Sequence, residues 1–490
     1  MRGKSAGKWA RAYLLSAVVL VILSLSTSVN SAHPHATGNQ SEIVAAEVLT
    51  TTVYLPLVAR YYDPSWVAPF GTETHDYELL ARATEAQMKW MRVSLRWDEV
   101  EPTKGSYNWA IYDDRLAKVA EAGLTPIVYI WKNPSWAAAT NCGPLYNDQD
   151  LADFLTAVVG RYRDSPYDVK YWEIYNEPDH WQSGTIGCMG DDVPEYVSLL
   201  EVAHDTIKAL DPEAHILLGG LAMVGSVNLD FLEQVLEEGG GDYFDIVSFH
   251  FYAEQINAAY TCSDPPECTV RGLLGKAAII RDTLAQYGHD KPLMLTETGK
   301  RCLSAYPDVA PCSAEELEIQ ADYVPILNVR GMSTDLESII WYTLEWPGFY
   351  HSSLLDQSGT PKPAYLAYQT LTEELAGARY GRRIEDPYPY CPEIEQHLFS
   401  LRGGRAEKTV LWTNPIVAWD ESGQPIYCGI DTRSFDFPTE DLPFGMLRLV
   451  RREGSEYAES ILTDADDGQV DGVITLSITP SPIYVEAYTP

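Results

Sequence analysis

The sequence predicts an α/β fold: an eight-stranded (β/α)8 TIM barrel followed by a C-terminal β-sandwich domain. Three observations carry this. From Trp66 to about Gln369, short apolar strand-like segments alternate with longer amphipathic helical ones, eight times over. No glycine-rich phosphate loop follows the first strand, which disfavours a doubly wound open sheet, the other arrangement this rhythm fits. Beyond about Ala378 helical periodicity stops, and short strands separated by Gly, Asp and Pro turns replace it.

The barrel strands are expected at 66–71, 90–95, 125–131, 169–176, 215–220, 244–252, 292–299 and 338–346, each rich in β-branched and aromatic residues. Helical segments such as "DYELLARATEAQMKW", "DLADFLTAVVGRYR" and "PEYVSLLEVAHDTIKAL" lie between them, and several end in glycine, as helix C-termini often do. "PKPAYLAYQTLTEEL" closes the eighth unit. The barrel is thus drawn at 65–378 and the sandwich at 379–490, with "EQHLFSLRG", "KTVLWTN", "GMLRLVRR" and "VITLSITPSPIYVEAY" among its strands.

Two segments precede the barrel. In 1–32, Arg2, Lys4, Lys8 and Arg11 lead into an apolar run at 14–25 and then small residues at Ser28, Val29, Ser31 and Ala32, the pattern of a secretory signal peptide. The run is short for a membrane span; the alternative is an uncleaved signal that anchors the protein to a membrane. Residues 33–64 read as a linker. No later stretch is long and apolar enough to span, so the expectation is a secreted protein with no stable membrane span after signal cleavage.

Eight cysteines suit an exported, disulfide-bearing chain. Cys262/Cys268, Cys302/Cys312 and Cys391/Cys428 are neighbours in sequence, leaving Cys142 and Cys188, although spacing does not fix connectivity. A zinc site is the rival use, but no Cys-x-x-Cys or clustered histidine supports one. Of the 490 residues 46% are hydrophobic, enough for a full core. Acids outnumber bases by 70 to 35, and the net charge of −35 repels nucleic acid and anionic membranes and disfavours a polyanionic substrate.

Barrel enzymes carry their chemistry at the carboxyl ends of the strands. Those ends hold Arg92, Asn176, Glu177, His250, Tyr252, Glu297 and Trp341, on a rim that also carries Trp97, Trp131, Trp136, Trp181 and Trp346. In "YWEIYNEPDHW" (171–181) Tyr171, Glu173 and Tyr175 alternate with Trp172 and Ile174 until Pro178 stops the strand. Glu177 is therefore pinned at a strand end among rings, either as a structural acceptor or as a reacting group. Glu297 in "LTETG", on the seventh strand, makes it one of a pair. Glycoside hydrolysis needs such a pair, one carboxyl protonated near the leaving oxygen and one carboxylate facing the anomeric carbon. Flat aromatic faces around polar groups suit a sugar ring. Burial among Trp172, Tyr175 and Trp181 is expected to raise the pKa of Glu177; Arg92 and the Tyr252 hydroxyl are expected to keep Glu297 anionic.

These motifs resemble those of retaining glycoside hydrolases of the large (β/α)8 clan A that includes family 5 cellulases and family 39 β-xylosidases. "NEP" at 176–178 is similar to the clan's strand-four acid/base motif, "TETG" at 296–299 to its strand-seven nucleophile, and "SFHFY" to its strand-six His and Tyr. "RVSLRWDEVEPTKGSYNW" and "LLDQSGTPKPAYLAY" resemble its second and closing units, and the trailing sandwich resembles the accessory domain of family 39. The resemblance implies Glu177 as acid/base, Glu297 as nucleophile and Asn176 on the sugar 2-hydroxyl. From their places on the strand-end rim, Arg92, His250, Tyr252, Trp97 and Trp131 are expected to contact substrate, with Trp341 as a ring platform. The implied protein is a secreted retaining β-glycosidase cleaving O-glycosidic bonds of a poly- or oligosaccharide, with no cofactor and no metal. A non-catalytic carbohydrate-binding protein on a degenerate barrel is the alternative from another class, disfavoured because both glutamates are present. A transglycosylase would use the same two glutamates.

Overall fold

Eight parallel strands close on themselves: β1 (Phe70–Glu73), β2 (Trp90–Arg96), β3 (Thr125–Trp131), β4 (Tyr171–Asn176), β5 (His215–Leu221), β6 (Ile246–Tyr252), β7 (Leu293–Gly299) and β8 (Leu336–Trp341). Closure comes from β8 pairing with β1 in the register Phe70↔Ile339, Gly71↔Ile340 and Thr72↔Trp341. The computed structural model of the protein describes residues 67–489 except 182–188, 224–226, 253–271, 303–310, 376, 385–393, 401–406, 414–415, 420–424, 428–431 and 454–455. The expected signal and linker, and Cys188, Cys262, Cys268, Cys391 and Cys428, lie outside the described residues. Helices α1 (Leu80–Glu85), α2 (Trp97–Val100), α3 (Ala110–Glu121), α4 (Gln149–Tyr162), α5 (Val193–Leu210), α6 (Phe231–Glu237), α7 (Leu273–Gln286), α8 (Ala314–Ser333) and α9 (Pro363–Leu375) fall between and after the strands. This is the (β/α)8 barrel the sequence predicts. Strands β2 to β7 agree with expectation to within two residues at each end, whereas β1 runs from Phe70 to Glu73 rather than over 66–71, and β8 from Leu336 to Trp341 rather than over 338–346.

Strand alternation divides the side chains between two cores. Met91, Val93, Leu95, Val128, Ile130, Trp172, Ile174, Val247, Phe249, Leu295 and Ile339 face outward and pack with helix residues such as Leu116, Leu155, Val158 and Leu200. Inside the barrel, Trp90, Ile127, Leu217, Ile246, Met294 and Ile340 form an apolar floor that the half-buried Tyr171 completes. Fully burying such a side chain is worth about 1.5–3 kcal/mol. The floor seals the amino end of the barrel, so a polar interior layer is left facing only the carboxyl end.

The loops at that end are tied from outside. Ser313 caps α8: its hydroxyl accepts from the Glu316 N–H while the Glu316 carboxylate accepts from the Ser313 N–H. The Cys302–Cys312 disulfide closes the chain just before that cap, and Cys142 is also disulfide-bonded. Nearly two turns into α8, the buried Gln320 amide donates to the carbonyls of Lys300 (2.7 Å) and His351 (2.9 Å), joining the loop after β7 to the loop after β8.

The C-terminal strands are β9 (Arg379–Ile384), β10 (Ile394–Ser400), β11 (Glu407–Thr413), β12 (Ile416–Trp419), β13 (Pro425–Tyr427), β14 (Arg433–Pro438), β15 (Met446–Glu453), β16 (Glu456–Thr463), β17 (Val473–Ile478) and β18 (Ile483–Ala487). Six of them form one sheet in the order β16-β15-β18-β11-β10-β9, and β14 pairs with β17. Leu411, Leu447, Leu449, Ile483 and Val485 of the large sheet pack with Ile474, Leu476 and Ile478 of the small one, which makes the expected sandwich.

Barrel and sandwich belong to one compact unit, Pro64–Pro490. Charged side chains join them. Glu395 on β10 accepts two hydrogen bonds from Arg330 of α8 (3.1 and 2.6 Å), and Trp412, fully buried, stacks on His397 beside them. Glu374 of α9 receives both Arg448 amines at 2.9 Å and the Lys408 ammonium. Arg452 bonds Asp322 and Glu318 of α8. Burial alone would raise Glu374, but Arg448 and Lys408 hold it below the usual carboxylate range. Removing one partner of a buried charge cluster costs far more than removing the whole cluster. Glu374→Ala should therefore destabilise the fold by about 3–5 kcal/mol at neutral pH, read as a lower Tm in calorimetry. Because the folded-state pKa of Glu374 is depressed, its stabilisation is complete above the ordinary carboxyl value. The difference between variant and parent should shrink as pH falls below about 4. An unchanged Tm at pH 7 would contradict this account of the interface.

Candidate active site

The polar layer above the apolar floor is built on Arg92. Its guanidinium is fully buried and lies over the Tyr129 ring, 4.0 Å from the centroid. Nε donates to Glu173 at 2.8 Å, one terminal nitrogen to Asn176 at 2.6 Å, and the other to both Glu73 at 3.2 Å and Glu297 at 3.3 Å. Burial opposes the charge on Arg92, but Glu173 and Glu73 hold its pKa well above the usual value. Glu173 is fully buried and also accepts from the Ser248 and Thr296 hydroxyls at 2.7 and 2.9 Å. Glu73 accepts from the Tyr129 hydroxyl at 3.0 Å.

Asn176 and Glu177 are consecutive, yet a regular strand would send them to opposite faces. The backbone breaks that alternation. Tyr175 and Glu177 have φ of +67° and +49°, left-handed values that non-glycine residues adopt at a cost. Tyr175 turns outward into the core shared with Trp172 and Ile174, where its hydroxyl donates to Asn133 at 2.7 Å. Asn176 and Glu177 are left at the barrel mouth. The next strand makes room for them. A Cβ at Gly219 would lie 2.4 Å from the Ile174 carbonyl oxygen, and one at Gly220 only 2.3 Å from His250 Nε2.

His250 Nδ1 lies 2.9 Å from Glu177 Oε1 and 3.7 Å from Glu297 Oε2. These two carboxylate oxygens are therefore no further apart than the sum of those distances. That bound barely reaches the roughly 6.5–9.5 Å spacing of inverting glycosidases and admits the about 5–5.5 Å of retaining ones. Tyr252 donates to Glu297 Oε1 at 2.7 Å; burial, then the charge of Glu297, pushes its phenol well above the usual value, so it stays a donor. Behind His250, Lys276 Nζ donates to the carbonyls of His250 and Ala222, both at 2.6 Å, and burial pushes its pKa down to about 7.

The electrostatics of Glu177 correct the expectation. Its neighbours are His180 Nε2, 3.3 Å from Oε2, and His250, rather than the rings of Trp172 and Tyr175. Burial works to raise its pKa, but hydrogen bonds and charge from His180 and His250 outweigh it and hold the carboxyl below the usual range. His180 moves the other way: burial would lower it, and Glu177 raises it.

The structure brings Arg92, Asn176, Glu177, His250, Tyr252 and Glu297 together. Trp131 is half-buried at the end of β3, its indole nitrogen on Ser94 at 2.8 Å. Two tryptophans are not at the mouth. Trp97 is 1% exposed, stacked on Phe154 with its nitrogen on Glu101. Trp341 is also 1% exposed, because its phase on β8 sends it into the outer core with its nitrogen on the Ser352 carbonyl. Neither ring offers a face to a ligand. Tyr342, the next residue, is the half-buried ring there, and burial followed by the charges of Glu73 and Glu297 raises its phenol. Sequence reasoning also missed Glu73, Glu173, His180 and Tyr129. Glu173 and His180 stand inside the quoted 171–181 stretch, where an acid on the inward phase of a strand was the available signal.

Residues 52–334 match the family model described as cellulase (glycosyl hydrolase family 5). Endo-1,4-beta-xylanase A of Fusarium oxysporum f. sp. lycopersici is 30% identical over 92 residues, 17% of this chain and 26% of that protein. Endo-1,4-beta-xylanase 1 of Gibberella zeae is 26% identical over 88 residues, 17% of this chain and 24% of that protein. The chain thus spans about a quarter of these curated relatives. Among solved structures, a family 39 glycoside hydrolase from Bacteroides cellulosilyticus WH2 superposes with a TM-score of 0.63 at 18% identity, covering 86% of this chain and 81% of that one. A monomeric beta-xylosidase from Caulobacter crescentus CB15 gives 0.56 at 17% identity, covering 87% and 96%. At such identities these likenesses show the fold.

Removing His180 takes a donor and a positive charge from Glu177. His180→Ala should therefore move the Glu177 carboxyl upward, toward the ordinary carboxyl range, in an infrared or 13C NMR titration. A carboxyl that does not move would mean that His250 alone sets it.

Proposed function

The chain belongs to the cellulase family, glycosyl hydrolase family 5, and from that membership we propose a retaining β-glycosidase that works by double displacement on a β-linked xylan or an oligosaccharide derived from it. The observation that supports the reading is the approach of His250 to both Glu177 and Glu297, which keeps the two carboxylates close enough to admit the about 5–5.5 Å spacing of retaining enzymes. Glu297, aligned by Arg92 and Tyr252, is the nucleophile. Its carboxylate oxygen bonds to the anomeric carbon as the bond to the leaving oxygen breaks. Water then cleaves the resulting ester with retention of configuration.

Glu177 is the acid and base. Because His180 and His250 keep it ionised in the free enzyme, the proton for the leaving group resides on the hydrogen-bonded His180–Glu177 pair. Substrate that fills the mouth excludes water from the pair, which disfavours its two opposite charges and shifts the proton from Nε2 to Oε2. In the second step Glu177 accepts a proton from the attacking water. Asn176, fixed by Arg92, presents its amide to the sugar 2-hydroxyl, and Trp131 and Tyr342 supply rings beside the glycone. The names of the two fungal xylanases support xylan as the polymer. The signal-like N-terminus, the acidic surface and the Cys302–Cys312 disulfide support export.

An aryl β-xyloside, β-glucoside, β-galactoside and arabinoside panel with polymeric xylan should show the xyloside or xylan as best substrate. Proton NMR should show a β-configured first product. Glu297→Ala should lose detectable turnover and regain it with azide, giving an α-glycosyl azide. Glu177→Ala should lose about 10²–10⁴-fold in kcat on poor leaving groups while sparing dinitrophenyl glycosides, which depart without an acid. The opposite azide response in the two variants would reverse the roles.

A further inference from the structure

One terminal nitrogen of Arg92 serves two carboxylates at once. Glu73 Oε2 lies 3.2 Å from it and Glu297 Oε2 3.3 Å. Glu173 holds Nε independently at 2.8 Å, with two hydroxyls supporting its other oxygen. A single guanidinium thus faces three carboxyls in an enclosed layer. Two anions that share one nitrogen repel each other, and a proton on one of the two carboxyls removes that repulsion. Each accepts from one phenol, Glu297 from Tyr252 and Glu73 from Tyr129, but the Glu297 side chain is 16% exposed and that of Glu73 only 1%. Glu73 is the member burial disfavours as an anion, and its pKa is raised on that account.

Glu73 also has a route to solvent. His75 Nε2 lies 3.8 Å from Glu73 Oε1, the imidazole is half exposed, and its Nδ1 is bound to Glu345 at 2.9 Å. The ionisable groups facing Glu73 are Arg92 from β2, Tyr129 from β3, Glu297 from β7, Tyr342 after β8, and His75 and Tyr77 from its own loop.

We propose that Glu73 is a positioning residue that carries a proton while Glu297 is anionic and releases it when Glu297 becomes a glycosyl ester. Arg92 thereby keeps two anionic partners through the whole cycle. The proposal rests on Glu297 being the nucleophile. In the first step the bond from the anomeric carbon to the leaving oxygen breaks, its electron pair departs on that oxygen, and Glu297 forms the new bond and loses its charge. Glu73 then passes its proton by way of His75 to water and takes over the shared Arg92 nitrogen. When water cleaves the ester and Glu297 is an anion again, Glu73 recovers a proton from solvent. The buried guanidinium stays in place, and so does Asn176, which it holds against the 2-hydroxyl.

The test uses the full-length chain and 2,4-dinitrophenyl 2-deoxy-2-fluoro-β-xyloside, which leaves as a phenolate and traps the ester. Proton release is followed with an indicator dye in weak buffer at neutral pH, and the labelled residue is identified by peptide mass. Release, counted per trapped site in each protein, should approach one proton in the parent and vanish in Glu73→Gln. Infrared difference spectra of the parent give a second reading if that variant folds poorly. Trapping should remove a carboxylic acid C=O band that shifts in D2O, whereas the new ester band does not shift. Equal proton release in both proteins, or no loss of a D2O-sensitive acid band, overturns the proposal. A label on a residue other than Glu297 overturns the nucleophile assignment and this proposal with it.

Discussion

Everything at the barrel mouth hangs on one buried cation. Arg92 has no solvent contact and meets Glu73, Glu173, Asn176 and Glu297, contributed by β1, β4 and β7. Taking a guanidinium out of water costs several kcal/mol unless every donor is directed at an acceptor. The planar fork fixes where those acceptors must be, which a flexible ammonium would not do. Strand order, strand register and side-chain phase are therefore all constrained by the same few bonds. The apolar floor beneath, from Trp90 to Ile340, keeps water from reaching the cation from below.

A regular strand delivers every second residue to the interior, and this mouth needs consecutive ones. The fold solves this by local departure from regularity. Tyr175 and Glu177 take left-handed backbone angles on either side of Asn176. Gly219 and Gly220 give up side chains so that β4 and His250 can approach β5 closely. Such strain persists only where the surroundings over-determine it. Here the Tyr175 hydroxyl on Asn133 and the hydrogen bond from the Glu177 N–H to the Gly220 carbonyl supply that.

Most of the barrel is legible in the sequence because parallel strands with helices between them repeat one pattern, and the pattern is set by burial. Glu177 and Glu297 are legible for a different reason: proline and glycine mark the strand ends on which they sit. What was not legible depends on partners far away in the chain. Glu73 falls just past a strand drawn to residue 71, and nothing local says that Arg92, Tyr129 and Glu297 converge on it. Trp341 reads as a rim ring, but a one-residue difference in phase hands that position to Tyr342. The direction of the Glu177 shift is not legible, because composition shows the burial around a carboxyl and not the two imidazoles bonded to it.

Helix α8 links this chemistry to the sandwich. Gln320 on its first turns holds the carbonyls of Lys300 and His351, and so the loops leaving β7 and β8. Asp322 and Arg330 of the same helix are gripped by Arg452 and Glu395 of the sheet. Side chains three or four apart share a helix face, and two apart point away from each other, so one helix can hold the mouth on one side and the sheet on another. Among the described residues no hydrogen bond or ion pair joins the sandwich to Arg92 and its partners, and Trp412 is enclosed beside His397 rather than offered to a ligand. The sandwich grips the helix that holds those loops, and the loop after β8 carries Tyr342, Glu345 and the Trp346–His351 pair. A barrel without its sheet would keep every candidate residue in sequence and lose the clamp that keeps two of its loops in register.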